Sequence, residues 1–308
     1  MILTVTLNTA LDITYRVPAL TPHASHRVSE VRERPGGKGL NVARVLSALG
    51  HESVVTGFAG GPTGAVLREL LAPLAPRDAL VPVAGTTRRT IAVVDDASGD
   101  TTQLNEPGPI VTPEEWATFL TSYDSLLPGA DAVALCGSLP PGIHVGAYAE
   151  LIRRARGAGV PVLLDTSGEP LRRGIAARPD LVKPNADELA QLTGSREPLR
   201  ATRDARRRGA HTVVASLGPD GLLAATADGV WQATPPTPVK GNPTGAGDSA
   251  VAGLLSGLVE QLPWPDLLAR AAALSAATVL APAAGEFDAA AYEDLLPLIA
   301  VTELAAAA

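Results

Sequence analysis

The chain has 308 residues, 46% of them hydrophobic and 19% charged, enough to bury one large α/β core and too apolar for a disordered polypeptide. A net charge of -7 argues against a general nucleic-acid or anionic-membrane surface, and no apolar run reaches the ~18 residues of a membrane span. The single cysteine, Cys136, excludes an intrachain disulfide framework and a Cys-based zinc site, and no basic leader precedes the first apolar run, so the expected compartment is the cytoplasm.

Only three Phe, four Tyr and three Trp are present, so the core has to be built from Val, Leu, Ile and Ala. In chain order, residues 2–7, 53–58, 132–136, 160–165, 181–183 and 212–216 form short apolar or β-branched runs that predict strands. Amphipathic stretches at 40–49, 63–74, 113–127, 145–158 and 186–192 predict helices between them. The alternation reads as βα units around a mainly parallel sheet covered on both faces. Beyond Asp248 the chain becomes helical and Ala-rich to about residue 280, and again near 288–298. Two pairs of segments break the rhythm: 13–17 with 27–34, and 88–95 with 101–104, the second pair flanking a turn at 96–100. Their polar alternation predicts strands outside the main sheet, suited to a lid or a dimer contact.

Several short segments carry candidate chemistry. Asn242-Pro-Thr-Gly-Ala-Gly-Asp248-Ser puts small residues and one carboxylate at the start of an apolar helix. There the free N–H groups of the first turn can hold an anion beside a base, although an ordinary helix cap has the same look. Pro35-Gly-Gly-Lys-Gly-Leu-Asn41 also precedes a helix, and Asp12 closes the segment Asn8-Thr-Ala-Leu-Asp12 near the carboxyl end of the first strand. Open α/β sheets bind ligands at that end. Cys136-Gly-Ser-Leu-Pro-Pro-Gly142 offers the free hydroxyl of Ser138. Lys183-Pro-Asn185 with Glu188 reads either as a capping box or as support for a magnesium phosphate. Ser216-Leu-Gly218-Pro-Asp-Gly221 reads as a strand-to-turn junction.

Taken together and in order, Gly-Gly-Lys-Gly-x-Asn, Gly-Ser-Leu-Pro-Pro-Gly, Lys-Pro-Asn-x-x-Glu and Gly-Ala-Gly-Asp resemble the ribokinase/phosphofructokinase-B sugar kinase family over essentially the whole chain. The resemblance implies a three-layer α/β/α ribokinase-like fold with a small β-strand lid, in a single kinase domain spanning 1–308 with lid strands at about 13–34 and 88–105. It implies ATP and Mg²⁺, and a homodimer. Asp248 corresponds to the family's catalytic base, and Gly245, Ala246 and Gly247 to its anion hole. Lys183, Asn185, Ser216 and Gly218 match positions near the nucleotide, and Glu188 an indirect support for Mg²⁺. Asp12, Gly36, Gly37, Lys38 and Asn41 match sugar-binding positions, while Arg88 and Ser138 match residues that meet a phosphate already on the substrate. Arg27, on the expected lid, is a second phosphate candidate.

Arginine offers a bidentate fork for phosphate, so these cations favour a phosphosugar over a free sugar. Leu104-Asn-Glu-Pro-Gly-Pro109 and the lysine of Gly-Gly-Lys-Gly resemble the 1-phosphofructokinase and tagatose-6-phosphate kinase branch. Fructose 1-phosphate is therefore the expected acceptor, with tagatose 6-phosphate and fructose 6-phosphate as alternatives. Two departures bear on the sugar: Asn242-Pro-Thr replaces a Ser-Thr-Val-like run, and Ser25 stands where some relatives carry a lid lysine. A sugar-phosphate sensor would be expected to lack the base or the anion hole, and a Rossmann dehydrogenase needs a Gly-x-Gly-x-x-Gly after the first strand, where Asn8-Thr-Ala-Leu-Asp12 stands instead.

Overall fold

A computed structural model describes residues 1–281 and 283–304. The strands in chain order are β1 (Ile2–Thr6), β2 (Ala10–Val17), β3 (Glu30–Gly36), β4 (Ser53–Gly60), β5 (Arg77–Asp78), β6 (Val81–Val83), β7 (Arg88–Asp95) and β8 (Thr101–Asn105). They continue with β9 (Ala132–Cys136), β10 (Val162–Asp165), β11 (Leu181–Val182), β12 (Thr212–Ser216), β13 (Leu222–Ala225), β14 (Val230–Thr234) and β15 (Ala300–Leu304). The helices are α1 (Lys38–Ala48), α2 (Gly61–Leu71), α3 (Pro113–Leu126), α4 (Ala147–Gly157), α5 (Gly168–Ala176), α6 (Ala186–Thr193), α7 (Pro198–Arg207), α8 (Ala246–Val259), α9 (Trp264–Val279) and α10 (Ala289–Leu295).

The large sheet runs β15-β14-β13-β12-β11-β10-β9-β1-β4-β5, with β6 added alongside β4. From β12 to β5 its pairings are parallel, as the alternation of strands and helices predicts. Side chains alternate between its two faces because a strand has a period of two. Leu3, Val5, Val133, Leu135, Val162 and Leu164 face one core with Phe119, Tyr148 and Ile152. Ile2, Ala132, Ala134 and Leu163 face the other with Val42, Leu46, Val251 and Leu268. Both cores are continuous because these strands carry aliphatic residues at nearly every position, leaving neither face for solvent.

β13, β14 and β15 extend this sheet antiparallel, an addition that the predicted strands do not include. Their segments are short, and β15 pairs with a strand far away in sequence, so local patterning carries little of the signal.

The irregular segments form a second, four-stranded sheet in the order β3-β2-β7-β8. β2 pairs antiparallel with β3 and parallel with β7, and β7 with β8 makes the expected hairpin. Expected limits shift here: β2 starts at Ala10, while β3 starts only at Glu30, so Arg27 lies outside the ladder. No helix among the described residues is long and apolar enough to cross a membrane.

Candidate active site

The carboxyl ends of β1, β9, β10, β11 and β12 converge, because parallel strands all deliver their following loops to one edge. A cleft of about 520 Å³ opens there between the large sheet and the small one, lined by Thr6, Lys38, Arg88, Ser138 and Glu188 among others.

At its floor sits a cluster of buried charge. Asp165 ends β10 with its side chain 1% exposed, and Lys38 Nζ approaches its two oxygens at 3.2 and 3.3 Å. Lys183 Nζ, on a side chain 4% exposed, stands 3.6 Å from the same carboxylate. Burial by itself would raise Asp165, but the two ammonium groups outweigh it and hold the carboxyl below its ordinary value. Asp165 in turn pushes Lys38 upward, against the effect of burial.

Asp248 stands in the first turn of α8 and is almost fully buried. Asn41 Nδ2 donates to its Oδ2 at 2.8 Å. Burial, with Lys38 opposing it, raises this carboxyl from 3.8 to about 6. A carboxyl raised to about 6 is still mostly ionised at neutral pH, the state that a general base requires. The helix start beside it is open to an anion. Gly245 is the N-cap with φ 87°, a left-handed conformation suited to glycine, and no side chain caps the helix. The first N–H groups of a helix have no intrahelical partner. A Cβ on Gly247 would meet only Lys183 Nζ, at 3.5 Å, so this backbone offers room for a phosphate beside a cation. Asn242 and Pro243 shape the approach: Thr244 N donates to Asn242 Oδ1 at 3.0 Å, and Ala246 N to Pro243 O at 3.1 Å. The departure from the family pattern thus forms a local turn that leads into the N-cap.

Asn185 and Glu188 make the capping box: Glu188 N donates to Asn185 Oδ1 and Asn185 N to Glu188 Oε2, both at 2.8 Å. One carboxylate oxygen of Glu188 is committed to the helix, yet the side chain still lines the cleft. Asn185 also bridges to Ser216, which joins the ends of β11 and β12, and Gly218 follows with φ 61° and no atom near its missing Cβ. Among the described residues no three His, Cys, Asp or Glu side chains converge into a metal cage. A divalent ion fits this site only with phosphate oxygens completing its shell, as Mg²⁺ is commonly held.

In the same cleft Asn8 organises the candidate phosphate ligands. Its Nδ2 donates to Ser138 Oγ and Pro107 O, each at 3.1 Å, while its backbone carbonyl accepts from Arg88 Nε at 3.2 Å. Glu106 gives its carboxylate to Arg89, with Nη2 at 2.6 Å, while Arg88 Nη1 donates to Thr90 Oγ1 at 3.3 Å and to the Glu106 backbone carbonyl at 3.4 Å. Asp12 lies against Gly36, where a Cβ would fall 2.1 Å from its Cγ. Burial raises Asp12 to about 6, with Arg88 opposing.

Of the expected site residues, Gly37, Lys38, Arg88, Ser138 and Glu188 line the cleft, Asn41 ties Asp248 to the start of α1 beside it, Lys183 reaches Asp165, Asn185 joins Glu188 to Ser216 with Gly218 just beyond, and Asp12 lies against Gly36. Arg27 does not join them. It lies in the exposed segment before β3 because the β2–β3 ladder reaches only to Arg16 and Glu30. Asp165 and Asn8 are the residues that sequence reasoning passes over as site residues. For Asp165 the available signal is a carboxylate ending a strand that is otherwise wholly apolar.

A buried carboxylate beside a helix start that no side chain caps, with Lys183 next to Gly247, suits phosphoryl transfer in an α/β fold. The chain belongs to the pfkB carbohydrate kinase family, whose model, described as pfkB family carbohydrate kinase, matches residues 5–290. It is a sugar-phosphate kinase with the ribokinase-like fold. Among solved structures, phosphofructokinase-2 from Escherichia coli in complex with fructose-6-phosphate is similar at 30% identity and TM-score 0.87, over 96% of this chain and 98% of that one. The tetrameric inhibited form of the same enzyme is similar at 29% identity and TM-score 0.87 over the same shares. A Thermotoga maritima protein described as "possible 1-phosphofructokinase" is similar at 29% identity and TM-score 0.90, over 99% of this chain and 100% of that one.

Proposed function

We propose that the protein transfers the terminal phosphoryl group of ATP to a ketohexose phosphate, converting fructose 1-phosphate to fructose 1,6-bisphosphate. The observation that carries this reading is that Arg88 and Ser138 both line the cleft and are both held by Asn8, the first through its backbone carbonyl and the second through its side-chain amide. A free sugar has no use for a guanidinium held there, whereas a second phosphate does. Lys38 and the Asn105-Glu106 segment beside Arg88 favour the 1-phosphate branch, with tagatose 6-phosphate and fructose 6-phosphate as the competing acceptors.

In this reading Asp248 accepts the acceptor hydroxyl's proton as the hydroxyl oxygen bonds to the terminal phosphorus and the bond to the ADP oxygen breaks. The N–H groups of Gly247 and Asp248 and the ammonium of Lys183 stabilise the charge on the moving group. Lys38 and Asn41 orient the acceptor and the base, and Asn185, Ser216 and Gly218 border the nucleotide. Mg²⁺ would neutralise phosphate oxygens, with Glu188 supporting it through water. The small sheet acts as a lid that excludes water. Its outer face, where Val31 and Leu104 are 56% and 57% exposed, suits pairing with a second copy in a homodimer.

An ADP-release assay over fructose 1-phosphate, tagatose 6-phosphate, fructose 6-phosphate and fructose tests the reading. The highest kcat/KM is expected for fructose 1-phosphate, and turnover of fructose above all three phosphates defeats the assignment. Arg88→Ala should raise KM for the phosphosugar at least tenfold, as expected for losing a hydrogen bond to a charged group worth about 1.5–3 kcal/mol, with KM for ATP within about twofold.

A further inference from the structure

Glu286 touches both structural units between which the cleft opens. Its Oε1 accepts from Arg34 Nη1 at 2.6 Å and from Arg44 Nη2 at 2.8 Å. Arg34 belongs to β3 of the small sheet, directly opposite Asp12 on β2. Arg44 belongs to α1 of the large body, one helical turn after Asn41, and also donates Nη1 to Ala284 O at 3.2 Å. Arg44 thus clasps the segment 284–286 at two points.

That segment is wedged against the phosphoryl-transfer turn. A Cβ on Gly245 would stand 2.8 Å from Ala284 Cα, and a Cβ on Gly285 would stand 2.9 Å from Asn41 Oδ1 and from Arg44 Nη1. Asn41 in turn holds Asp248. Close packing of this kind transmits displacement instead of absorbing it. An exposed ion pair would carry little energy, but here one oxygen serves two guanidinium groups, and the Arg44 side chain is only 12% exposed. Without the carboxylate, two like charges would face each other across the joint.

We propose that Glu286 is a positioning residue that couples the small sheet to the start of α8, so that a nucleotide phosphate held at Gly245–Asp248 steadies β3 over the acceptor cleft. The proposal rests on the kinase reading of that turn and is independent of which sugar is the acceptor. The coupling is reciprocal: whatever the nucleotide does to β3, an acceptor that closes β3 does to nucleotide affinity.

Hydrogen exchange on the full chain tests it, with and without a non-hydrolysable ATP analogue and Mg²⁺, in the wild type and in Glu286→Gln, Arg34→Gln and the double variant. In the wild type the analogue is expected to slow exchange of the amides in 30–36 at least fivefold, a coupling within the usual range of about 5–150-fold. In Glu286→Gln and Arg34→Gln the slowing should fall below twofold, with analogue affinity within threefold of wild type, and the double variant should be no worse than either single one. Arg32→Gln, whose partner is Glu30 on the same strand, should transmit normally. Because each variant is compared with itself without ligand, general loosening of β3 cancels. Full slowing in Glu286→Gln, or none in the wild type despite bound analogue, overturns the coupling. Failure of the wild type to bind the analogue removes the kinase reading of the turn, and the coupling with it.

Discussion

Replacing Asp248 with Asn tests the proposed site from two directions, because the burial that would suit this carboxylate to the role of base also makes it costly to the fold. Burial lifts its pKa from the ordinary 3.8 to about 6, so between those values the native protein binds more protons than the unfolded chain. Stability contributed through this group is therefore highest in acid and falls as pH rises from about 4 to about 6. The shift of about two units corresponds to about 3 kcal/mol of destabilisation at pH 7.5, shrinking to about 1 kcal/mol at pH 4.5. Asn keeps the shape and can still accept from Asn41 Nδ2, yet it carries no charge to desolvate. Asp248→Asn should consequently melt about 5 °C or more above the wild type at pH 7.5, with a smaller margin at pH 4.5. The same change should lower kcat by about 10²–10⁴, the usual contribution of a positioned base, while nucleotide affinity stays near wild type. Thermal melts at both pH values and steady-state turnover would check this. A variant no more stable than wild type at pH 7.5, or one that turns over at the wild-type rate, would refute the reasoning.

Asp165→Asn leaves the buried ammonium of Lys183 without its counter-charge, and loss of one partner from a buried pair costs about 3–5 kcal/mol, readable as a lowered urea midpoint. An unchanged midpoint would mean that Lys183 finds another acid. Gly245→Ala combines a φ of 87° with a Cβ 2.8 Å from Ala284 Cα, so kcat should fall about a hundredfold, comparable to losing one anion-hole donor. Wild-type turnover in that variant would separate the turn from the chemistry. If Asp248 acts as the base with its pKa near 6, kcat/KM of the wild type should fall about tenfold per pH unit below that value. A flat profile down to pH 5 would assign the proton to another group.

Some of this was available from local pattern. Val133, Leu135, Val162 and Leu164 alternate with residues that are equally apolar, which requires a sheet with two covered faces, and the intervening amphipathic runs supply the covers. The glycines around Lys38 and at Gly245–Gly247 precede helices, so their backbone could be placed at a helix start without coordinates. The polar alternation of 88–95 and 101–104 likewise marks a hairpin, because only one face of such a strand can be buried.

Other features depend on residues far apart in the chain. Arg27 reads as a member of a strand, but backbone pairing with β2 begins only at Glu30, and that choice is made by the partner strand. Asp165 reads as a strand-ending polar residue until folding sets it between Lys38, 127 positions earlier, and Lys183. The shift of Asp248 to about 6 exists only once α1, α8 and β10 have closed around it, since desolvation is a property of the enclosure. The joint through Glu286 spans 252 positions to Arg34, beyond any periodic signal. Short-range patterning thus determined the layers and the glycine turns, because each follows from the bonding and burial needs of neighbouring residues. Which charges meet, how deeply they are buried and how the two sheets are tied together were decided only in the tertiary structure, because electrostatic energy depends on distance and enclosure instead of order along the chain.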